Sequence, residues 1–308
     1  MAHTILVIGA TGFIGSHTIR RFISKGYIVY ATHLPDESFV NIPGVRWIAC
    51  DITKPDFIYV LPERCDSIVY LAQSQHWRRF PDEVRDVFQV NVDAPLRMAE
   101  YALQIGSQRL IYSSTGSIYS QTQQPAHENE PLYLDTKRNF YVASKLAAES
   151  ILRPYAEIFN VIVLRLFFPY GAGQHTEMLI PQLIRRVRER RSIELHGTDG
   201  MLINPIFIAD VTEVLERCLS LNTTVTLNVA GPEVLTLREI GIHIGRELGM
   251  ETCFIMQPDL SPPIIVGDTQ ELRSRLGWEP KTNFEQGLQL WAGSEPGIFK
   301  TPSKLCFV

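Results

Sequence analysis

Short apolar runs alternate with longer amphipathic stretches through the first half of the chain. The apolar runs cover residues 5–8, 27–31, 46–49, 67–71, 110–113 and 161–167. Their lengths are typical of buried strands, which are fully apolar when both faces of a sheet are covered. A regular alternation of such strands with helical stretches predicts β-α-β units that build a parallel sheet.

Apolar residues recur at three- and four-residue intervals between these runs, which is the pattern of helices with one buried face. The predicted helices span residues 13–25, 91–104, 141–158, 181–189, 210–219 and 237–248. Gly26 follows the first of them, as is typical of a helix end. The pattern becomes less regular beyond residue 167. We therefore predict an α/β fold with a doubly wound parallel sheet in residues 1–167, a smaller interleaved α/β lobe for the substrate in 168–292, and a loose or surface-lying tail in 293–308.

The composition fits an ordinary globular protein. The 308 residues are 45% hydrophobic and 20% charged, with a formal net charge of −4. This charge gives no basic field for nucleic acid or an anionic membrane, and no apolar run is long enough to predict a membrane span. The five cysteines are scattered without a paired C-x-x-C motif, which indicates reduced thiols, no metal site and a cytoplasmic protein. They are Cys50, Cys65, Cys218, Cys253 and Cys306.

A glycine-rich turn lies between the first predicted strand and helix. It reads Gly9-Ala-Thr11-Gly12-Phe13-Ile14-Gly15. Glycines at these places allow a sharp turn and let backbone N–H groups approach a pyrophosphate at the positive end of the helix. The turn predicts a Rossmann-type domain that binds NAD or NADP.

The end of the second predicted strand bears on the choice between these two cofactors. It carries Thr32, His33 and Leu34, with neither a carboxylate for a ribose 2′-hydroxyl nor an arginine for a 2′-phosphate. Thr32 and His33 are weak candidates for contacts with a 2′-phosphate, although His33 also fits an exposed loop position. The sequence therefore favours NADP slightly.

Tyr141 and Lys145 lie four residues apart at the start of a predicted helix, so both project from one face. A tyrosine has a pKa of about 10 in water and needs a nearby cation before it acts as a base at neutral pH. Lys145 is expected to supply that charge. Ser113, Ser114 and Thr115 follow the fifth strand and offer hydroxyls that would hold a substrate oxygen during hydride transfer.

These motifs, taken in order, resemble the NAD-dependent epimerase/dehydratase family, the extended branch of the short-chain dehydrogenases that mostly acts on nucleotide-activated sugars. The likeness runs over residues 4–290. It rests on the glycine turn and on Asp51-Ile52, Leu71-Ala72, Asn91-Val92, Ser113 to Tyr119, Tyr141-x-x-x-Lys145, Arg165 to Gly171, Ile208-Ala-Asp210-Val211 and Leu276-Gly-Trp278.

The resemblance implies roles for individual residues. Asp51 and Ile52 flank the adenine, Leu71 to Gln73 line the cofactor channel, and Asn91 braces the neighbouring helix. The catalytic hydroxyl lies four residues before Tyr119, which selects Thr115, with Tyr141 and Lys145 as its partners. The implied cofactor contacts are Gly9, Thr11, Gly12, Phe13, Ile14, Gly15, Thr32, His33, Asp51, Ile52, Leu71, Ala72, Gln73, Asn91, Ser113, Tyr141, Lys145 and Phe168. The helices at 91–105 and 141–158 would form a four-helix homodimer interface.

Departures from the family pattern narrow the reaction. Dehydratases of the family carry an acidic pair directly after the catalytic threonine, where this chain has Gly116 and Ser117. Decarboxylases carry a glutamate, and carbanion-forming epimerases a cysteine, at the position of Ser117. Without these groups the site is equipped for hydride transfer alone, as in a keto-sugar reductase or a C4-type epimerase.

Other departures concern the substrate. Two arginines that grip a sugar diphosphate in the family are replaced, one by Ile203 and one near Pro258, and Phe168 replaces an asparagine. The arginine-rich run at 185–191 is either a substitute or a solvated helix face. The candidate substrate contacts are Ser114, Gln174, His175 and Asn204. Two alternatives stay open, an NADPH-dependent reductase of a non-nucleotide carbonyl compound and a non-enzymatic dinucleotide-sensing protein.

Overall fold

Fourteen strands are present among the residues that the computed structural model describes, which are 3–119, 124–130, 132 and 139–299. They are β1 (Thr4–Ile8), β2 (Ile28–His33), β3 (Val45–Ala49), β4 (Ser67–Tyr70), β5 (Arg109–Thr115), β6 (Asn160–Leu166), β7 (Pro169–Tyr170), β8 (Ile193–His196), β9 (Leu202–Ile203), β10 (Ile206–Phe207), β11 (Val225–Val229), β12 (Leu235–Thr236), β13 (Phe254–Gln257) and β14 (Ile264–Ile265).

The described residues form ten helices, six of which lie where the sequence predicts one. The ten are α1 (Phe13–Ser24), α2 (Val84–Phe88), α3 (Ala94–Ile105), α4 (Phe140–Leu152), α5 (Leu179–Arg188), α6 (Ile208–Cys218), α7 (Leu237–Leu248), α8 (Gln270–Leu276), α9 (Phe284–Ser294) and α10 (Pro296–Phe299). The helices α2, α8, α9 and α10 were not predicted. The predicted helix at 91–104 begins earlier, since α2 continues through a π-helical segment, Gln89–Asp93, into α3. The predicted helix at 141–158 is α4 followed by a 3-10 turn, Arg153–Glu157.

Seven strands form one fully parallel sheet in the order β3-β2-β1-β4-β5-β6-β11. The direction of winding reverses between β1 and β4, and ligands of such sheets bind at the carboxyl edge of that point. The predicted Rossmann-type α/β fold is confirmed. β11 belongs to the second half of the chain but pairs with β6, so the two halves share one sheet. The division of the chain at residue 167 stays a prediction.

Side chains of β1 pack on both faces of this sheet, which explains the aliphatic run from Ile5 to Ile8. Ile5 and Val7 belong to one buried cluster, Leu6 and Ile8 to another, and all four are 0% exposed. The first cluster includes residues of α1 and α6, and the second includes residues of α3 and α4. Each sheet face is thus covered by helices, as in other parallel sheets.

The smaller lobe contains short strand pairs. β10 pairs with β7, β13 pairs with β8, and β9 lies between β12 and β14. The helices α5, α7 and α9 pack together beside these strands. None of the helices within the described ranges is both long and apolar enough to cross a membrane.

The chain beyond residue 292 lies on the surface of the smaller lobe. Trp291 is 0% exposed and its ring lies 5.7 Å from that of Phe299 in α10. Arg188 Nη1 donates a hydrogen bond of 3.1 Å to the Ile298 carbonyl. None of residues 293–299 is buried, and these contacts hold the segment against α9 and α5. The tail as a separate unit stays a prediction. Residues 300–308, with Cys306, lie outside the described residues.

Two helical glycines provide a matched test of this packing. A Cβ added to Gly15 in α1 would lie 2.2 Å from the Gly9 carbonyl oxygen, whereas one added to Gly293 in α9 would contact nothing within 4 Å. We expect Gly15→Ala to lower the free energy of unfolding by about 2 kcal/mol or more. Gly293→Ala should raise it by up to about 1 kcal/mol, as alanine favours a helix. Urea denaturation measures both, and an equal effect of the two substitutions would contradict the tight turn.

Candidate active site

The glycine turn is pressed against the ends of two neighbouring strands. Gly9 leaves β1 with φ of 80°, and a Cβ there would lie 2.6 Å from the backbone nitrogen of Ala72, just after β4. Its N–H donates a hydrogen bond of 3.2 Å to Thr32 Oγ1 at the end of β2. Only glycine combines this backbone conformation with so close an approach.

The start of α1 fits the pyrophosphate of a dinucleotide. Gly12 precedes the helix without a side-chain cap, and the first turn holds no acidic residue. The unpaired N–H groups and the positive end of the helix dipole are therefore not neutralised by the protein itself. Thr11, Phe13 and Ile14 lie within this turn, as the sequence predicts.

The remaining predicted cofactor residues lie at the carboxyl edge of the sheet. Asp51 and Ile52 follow β3, and Leu71 to Gln73 follow β4 beside the glycine turn. Burial raises the pKa of Asp51, but hydrogen bonds from the Thr53 hydroxyl and N–H, together with Lys54, outweigh this and lower it. Asp51 therefore remains an ionised acceptor at the edge of the sheet.

The side chains of Thr32 and His33 both have partners within the protein. Thr32 is 4% exposed and its hydroxyl is engaged with Gly9. The His33 ring lies 4.4 Å from that of Phe39 and 6.1 Å from that of Trp47, and its Nδ1 contacts the Leu34 carbonyl at 2.8 Å. Their contact with a 2′-phosphate stays a prediction, which these existing partners disfavour.

Tyr141 lies in the first turn of α4, next to the carboxyl end of β5. Asn139 caps the helix, with its side chain accepting a 3.0 Å hydrogen bond from the Val142 N–H. Burial raises the pKa of the Tyr141 phenol, and a hydrogen bond with Thr115 opposes that rise. The structure therefore brings together the two hydroxyls that the sequence selects.

Lys145 lies one turn further along the same helix and is 2% exposed. Its Nζ donates a 3.0 Å hydrogen bond to the Ser113 carbonyl and lies 5.1 Å from the centre of the Tyr112 ring. Burial lowers the pKa of Lys145 to about 7, with Glu149 opposing the shift. The expected lowering of the phenol pKa by Lys145 and a bound nicotinamide stays a prediction, because in the chain by itself burial acts on both groups.

Asn91 braces the loop after β4 against α4. It lies in the π-helical segment, where its side-chain oxygen accepts from the Ser74 N–H at 3.2 Å and its amide donates to Ser144 at 2.9 Å. Ser144 in turn donates to the Tyr141 carbonyl at 2.7 Å. The π-helix turns Asn91 towards α4, and such segments are frequent at functional sites.

A buried ion pair lies below the tyrosine and lysine, and sequence reasoning missed it. Arg165 Nη2 of β6 lies 2.8 Å from Glu149 Oε2, with side chains 6% and 9% exposed. Ser114 donates to the other oxygen of Glu149. Arg165 also donates to the Tyr119 hydroxyl at 2.6 Å. A glutamate one turn after Lys145, on the buried face of α4, is the signal that would have revealed it.

The four predicted substrate contacts differ in burial and in whether their polar atoms already have hydrogen-bond partners. Asn204 is 3% exposed, and its side chain exchanges hydrogen bonds of 2.8 and 3.1 Å with the Gly267 backbone, so its assignment to the substrate was wrong. The Ser114 hydroxyl is likewise occupied by Glu149. Gln174 donates to the Pro169 carbonyl at 2.7 Å, whereas its buried Oε1 has no partner among the described residues. His175 is exposed.

Positions that hold diphosphate-binding arginines in the family are uncharged here. Ile203, at the first of these positions, is 0% exposed in β9, and Pro258, near the second, is exposed. Phe168, which replaces an asparagine, has a left-handed backbone with φ of 44°. The arginine-rich run is used locally. Arg185 pairs with Glu177, and Arg186 and Arg188 donate to the carbonyls of Ser192 and Ile298. These contacts favour the interpretation of a structural, partly solvated helix face.

An aromatic residue that the sequence did not single out lies against Tyr141. The Trp77 ring, in the loop after β4, is 4.9 Å from the Tyr141 ring. The guanidinium of Arg78 lies 4.4 Å from the Trp77 ring centre, and its Nη1 donates to the Glu177 carbonyl at 3.1 Å. This contact joins the loop after β4 to the segment before α5. Within the described ranges, no group of three or more His, Cys, Asp or Glu side chains is arranged to hold a metal ion.

Comparison with known proteins bears on this arrangement. The model of the NAD dependent epimerase/dehydratase family matches residues 5–230, which include the glycine turn, Thr115, Tyr141 and Lys145. This chain belongs to that family. The family resemblance read from the motifs is thereby confirmed.

Individual members of the family are similar over most of the chain. One relative is a trifunctional UDP-glucose 4,6-dehydratase/UDP-4-keto-6-deoxy-D-glucose 3,5-epimerase/UDP-4-keto-L-rhamnose-reductase of Arabidopsis thaliana. It is 26% identical over 92% of this chain, and the match covers 46% of that longer protein. A UDP-glucose 4-epimerase of Lacticaseibacillus casei is 25% identical over 90% of this chain and 92% of its own. The structure of MoeE5 in complex with UDP-glucose and NAD has a TM-score of 0.80 at 25% identity, covering 96% of this chain and 100% of that chain.

The buried ammonium predicts an unusual dependence of stability on pH. Between pH 7 and the ordinary pKa of 10.5, the unfolded chain binds a proton at Lys145 that the folded chain does not. The contribution of Lys145 to the free energy of unfolding therefore increases with pH in this window and is lowest below about pH 7.

We expect Lys145→Met to be more stable, relative to the wild type, at about pH 6.5 than at about pH 10. Thermal unfolding at a series of pH values measures this difference. Lys281→Met, at a position outside the site, is the control that should show a flat difference. A flat profile for Lys145→Met as well would show that the ammonium is not destabilised by burial.

The Glu149–Arg165 pair should be costly to break. Glu149→Gln leaves the buried Arg165 charge with neutral partners only, and we expect the free energy of unfolding to fall by about 3–5 kcal/mol. The exposed pair of Arg275 and Glu271 is the matched control. Glu271→Gln should change the free energy of unfolding by less than about 1 kcal/mol. Equal effects in urea denaturation would contradict a role for burial.

Proposed function

We propose that this chain is an NAD(P)-dependent enzyme that transfers hydride at a carbinol or keto carbon of a nucleotide-activated sugar. The observation that carries the proposal is the gathering of Thr115, Tyr141 and Lys145 at the carboxyl end of β5, in a chain whose glycine turn fits a dinucleotide. Family membership supports the same class of chemistry.

Three side chains would assist hydride transfer at the reacting carbon. Bound nicotinamide supplies the chemistry of accepting and returning a hydride. Tyr141 donates or removes the proton on the substrate oxygen, and Thr115, hydrogen-bonded to the same phenol, holds that oxygen in place. Lys145 stays within one helical turn of the phenol and is fixed by the Ser113 carbonyl, so that in its charged form it favours the phenolate.

Packing around Gly116 supports a reductase or C4-type epimerase over a dehydratase. A Cβ on Gly116 would lie 2.5 Å from the ring of Phe167. An acidic side chain directly after Thr115 therefore has no room unless Phe167 moves. Without that acid, neither residue directly after Thr115, Gly116 or Ser117, is an acid that would take a proton from carbon, which favours hydride transfer.

The two candidate functions differ in whether the substrate carries a nucleotide diphosphate. Nucleotide sugars are bound by relatives such as MoeE5, and Arg78 beside Trp77 offers a charged donor for a phosphate. The buried Ile203 in place of an arginine favours instead a carbonyl compound without a diphosphate. The unpartnered Oε1 of Gln174 would accept a substrate hydroxyl in either case.

Two further properties belong to this proposal. We expect a homodimer formed through α3 and α4, whose exposed side includes Leu103 at 49% exposure. Reduced, scattered cysteines are consistent with a cytoplasmic location, and three of them are buried with free thiols. Sedimentation analysis measures the oligomeric state.

Replacing the phenol tests the chemistry. We expect Tyr141→Phe to lower kcat by at least about 100-fold with an unchanged dissociation constant for the dinucleotide, because only the proton-transferring hydroxyl is removed. Single-turnover hydride transfer and dinucleotide titration measure the two quantities. Tyr155→Phe, beyond the end of α4, is the matched control. Full activity of Tyr141→Phe would exclude this mechanism.

Thermal shift separates the candidate substrates. UDP, TDP, GDP and CDP are each added to the protein with saturating dinucleotide. Stabilisation by one of them supports a nucleotide sugar, since a ligand at 100 times its Kd adds about 2.7 kcal/mol. Indifference to all four favours the reductase of a non-nucleotide carbonyl compound.

A further inference from the structure

A carboxylate reaches the glycine turn from beyond the end of β2. Residues 34–37 form a tight turn, in which the Glu37 N–H donates a 3.1 Å hydrogen bond to the Leu34 carbonyl. Pro35 and Asp36 occupy the two central positions, where proline favours a type I turn. The turn folds the chain back, so that Glu37 lies beside the strand end instead of away from it.

The side chain of Glu37 is held in this place by two hydrogen bonds. Thr11 Oγ1, inside the glycine turn, donates to Glu37 Oε2 at 2.9 Å, and the Leu34 N–H donates to the same oxygen at 3.2 Å. The second oxygen, Oε1, makes no hydrogen bond with any residue that the structure describes. One carboxylate oxygen is thus anchored at the turn while the other is available to a ligand.

This position is where the adenosine ribose of a dinucleotide meets the protein. With the pyrophosphate on the start of α1, the ribose 2′-hydroxyl lies beside the end of β2, and an acidic residue about 20 residues after the glycine turn binds it in many such folds. Glu37 comes 22 residues after Gly15. The tight turn returns a residue of the following loop to that place.

The cations that a 2′-phosphate requires are directed elsewhere. Arg46 of β3 lies in register with Tyr30 of β2, three residues before the strand end, and donates to the Tyr30 hydroxyl at 2.7 Å. His33 is packed between Phe39 and Trp47. A 2′-phosphate at this edge would therefore face the Glu37 carboxylate with no described cation beside it.

From these contacts we infer that Glu37 selects NAD over NADP by accepting a hydrogen bond from the ribose 2′-hydroxyl and repelling a 2′-phosphate. The inference rests on the proposed dinucleotide site and names its specificity. It opposes the slight preference for NADP that the strand end by itself suggests.

Titration of the full chain with four dinucleotides tests it. Binding of NAD, NADP, NADH and NADPH is measured by calorimetry for the wild type, Glu37→Gln and Asp36→Asn. Asp36 is exposed on the same turn, so Asp36→Asn removes an equal charge without touching the anchored carboxylate. Thermal unfolding of each variant shows whether the turn and fold are kept.

We expect the wild type to bind NAD at least about tenfold more tightly than NADP. NADP lacks the 2′-hydroxyl, so its complex loses one charge-assisted hydrogen bond to Glu37. Glu37→Gln should reduce this ratio at least about fivefold, mainly through tighter binding of NADP, and Asp36→Asn should leave it unchanged.

Equal binding of both cofactors by the wild type, or equal effects of the two substitutions, would overturn the role of Glu37 while leaving the proposed function in place. Failure of all four dinucleotides to bind would overturn the proposed function and this inference together. If Glu37→Gln unfolds, Glu37→Ala is used instead. It removes the carboxylate altogether, so the preference for NAD should fall, and an unchanged preference would overturn the inference.

Discussion

The candidate site depends on how helix α4 docks on the end of strand β5. Three consecutive residues of the strand end, Ser113 to Thr115, each bond to a residue on one face of the helix. Thr115 meets Tyr141, the Ser113 carbonyl accepts from Lys145, and Ser114 donates to Glu149. Residues four apart on a helix share a face, whereas strand residues alternate between faces. All three strand residues nevertheless contact α4, because Ser113 uses its backbone carbonyl while Ser114 and Thr115 use their side-chain hydroxyls.

This docking buries charge, and the surrounding structure offsets the cost. Lys145 is 2% exposed, and burial lowers its pKa to about 7. Glu149 opposes that shift and is itself neutralised by Arg165, which reaches it from the neighbouring strand β6. A buried ion pair contributes little net stability compared with apolar packing, although its removal is costly. Its value here is positional, because it ties β5, α4 and β6 to one geometry.

Packing also fills the space beside the catalytic candidates. The ring of Phe167 lies against Gly116, and a Cβ on Gly267 would be 2.6 Å from the same ring. Phe167 also stacks on Tyr119 at 6.0 Å, and Tyr119 accepts from Arg165. The space beside Thr115 is therefore filled by an aromatic ring that belongs to the same network as the ion pair. A larger side chain at position 116 would require several of these residues to move together.

Local sequence determined the features that depend on neighbours along the chain. The first six strands, six of the helices and the glycine turn could be predicted, because periodicity and backbone freedom are local properties. The Tyr141–Lys145 spacing was read from the same sequence, whereas the choice of Thr115 over Ser113 and Ser114 came from the family resemblance. Only the tertiary structure decided what these groups touch. It paired Glu149 with Arg165, closed Asn204 on Gly267 and returned Glu37 to Thr11, contacts between residues 16 to 63 positions apart. The burial that sets the pKa of Lys145 and the contacts of residues 293–299 likewise arise only when distant segments come together.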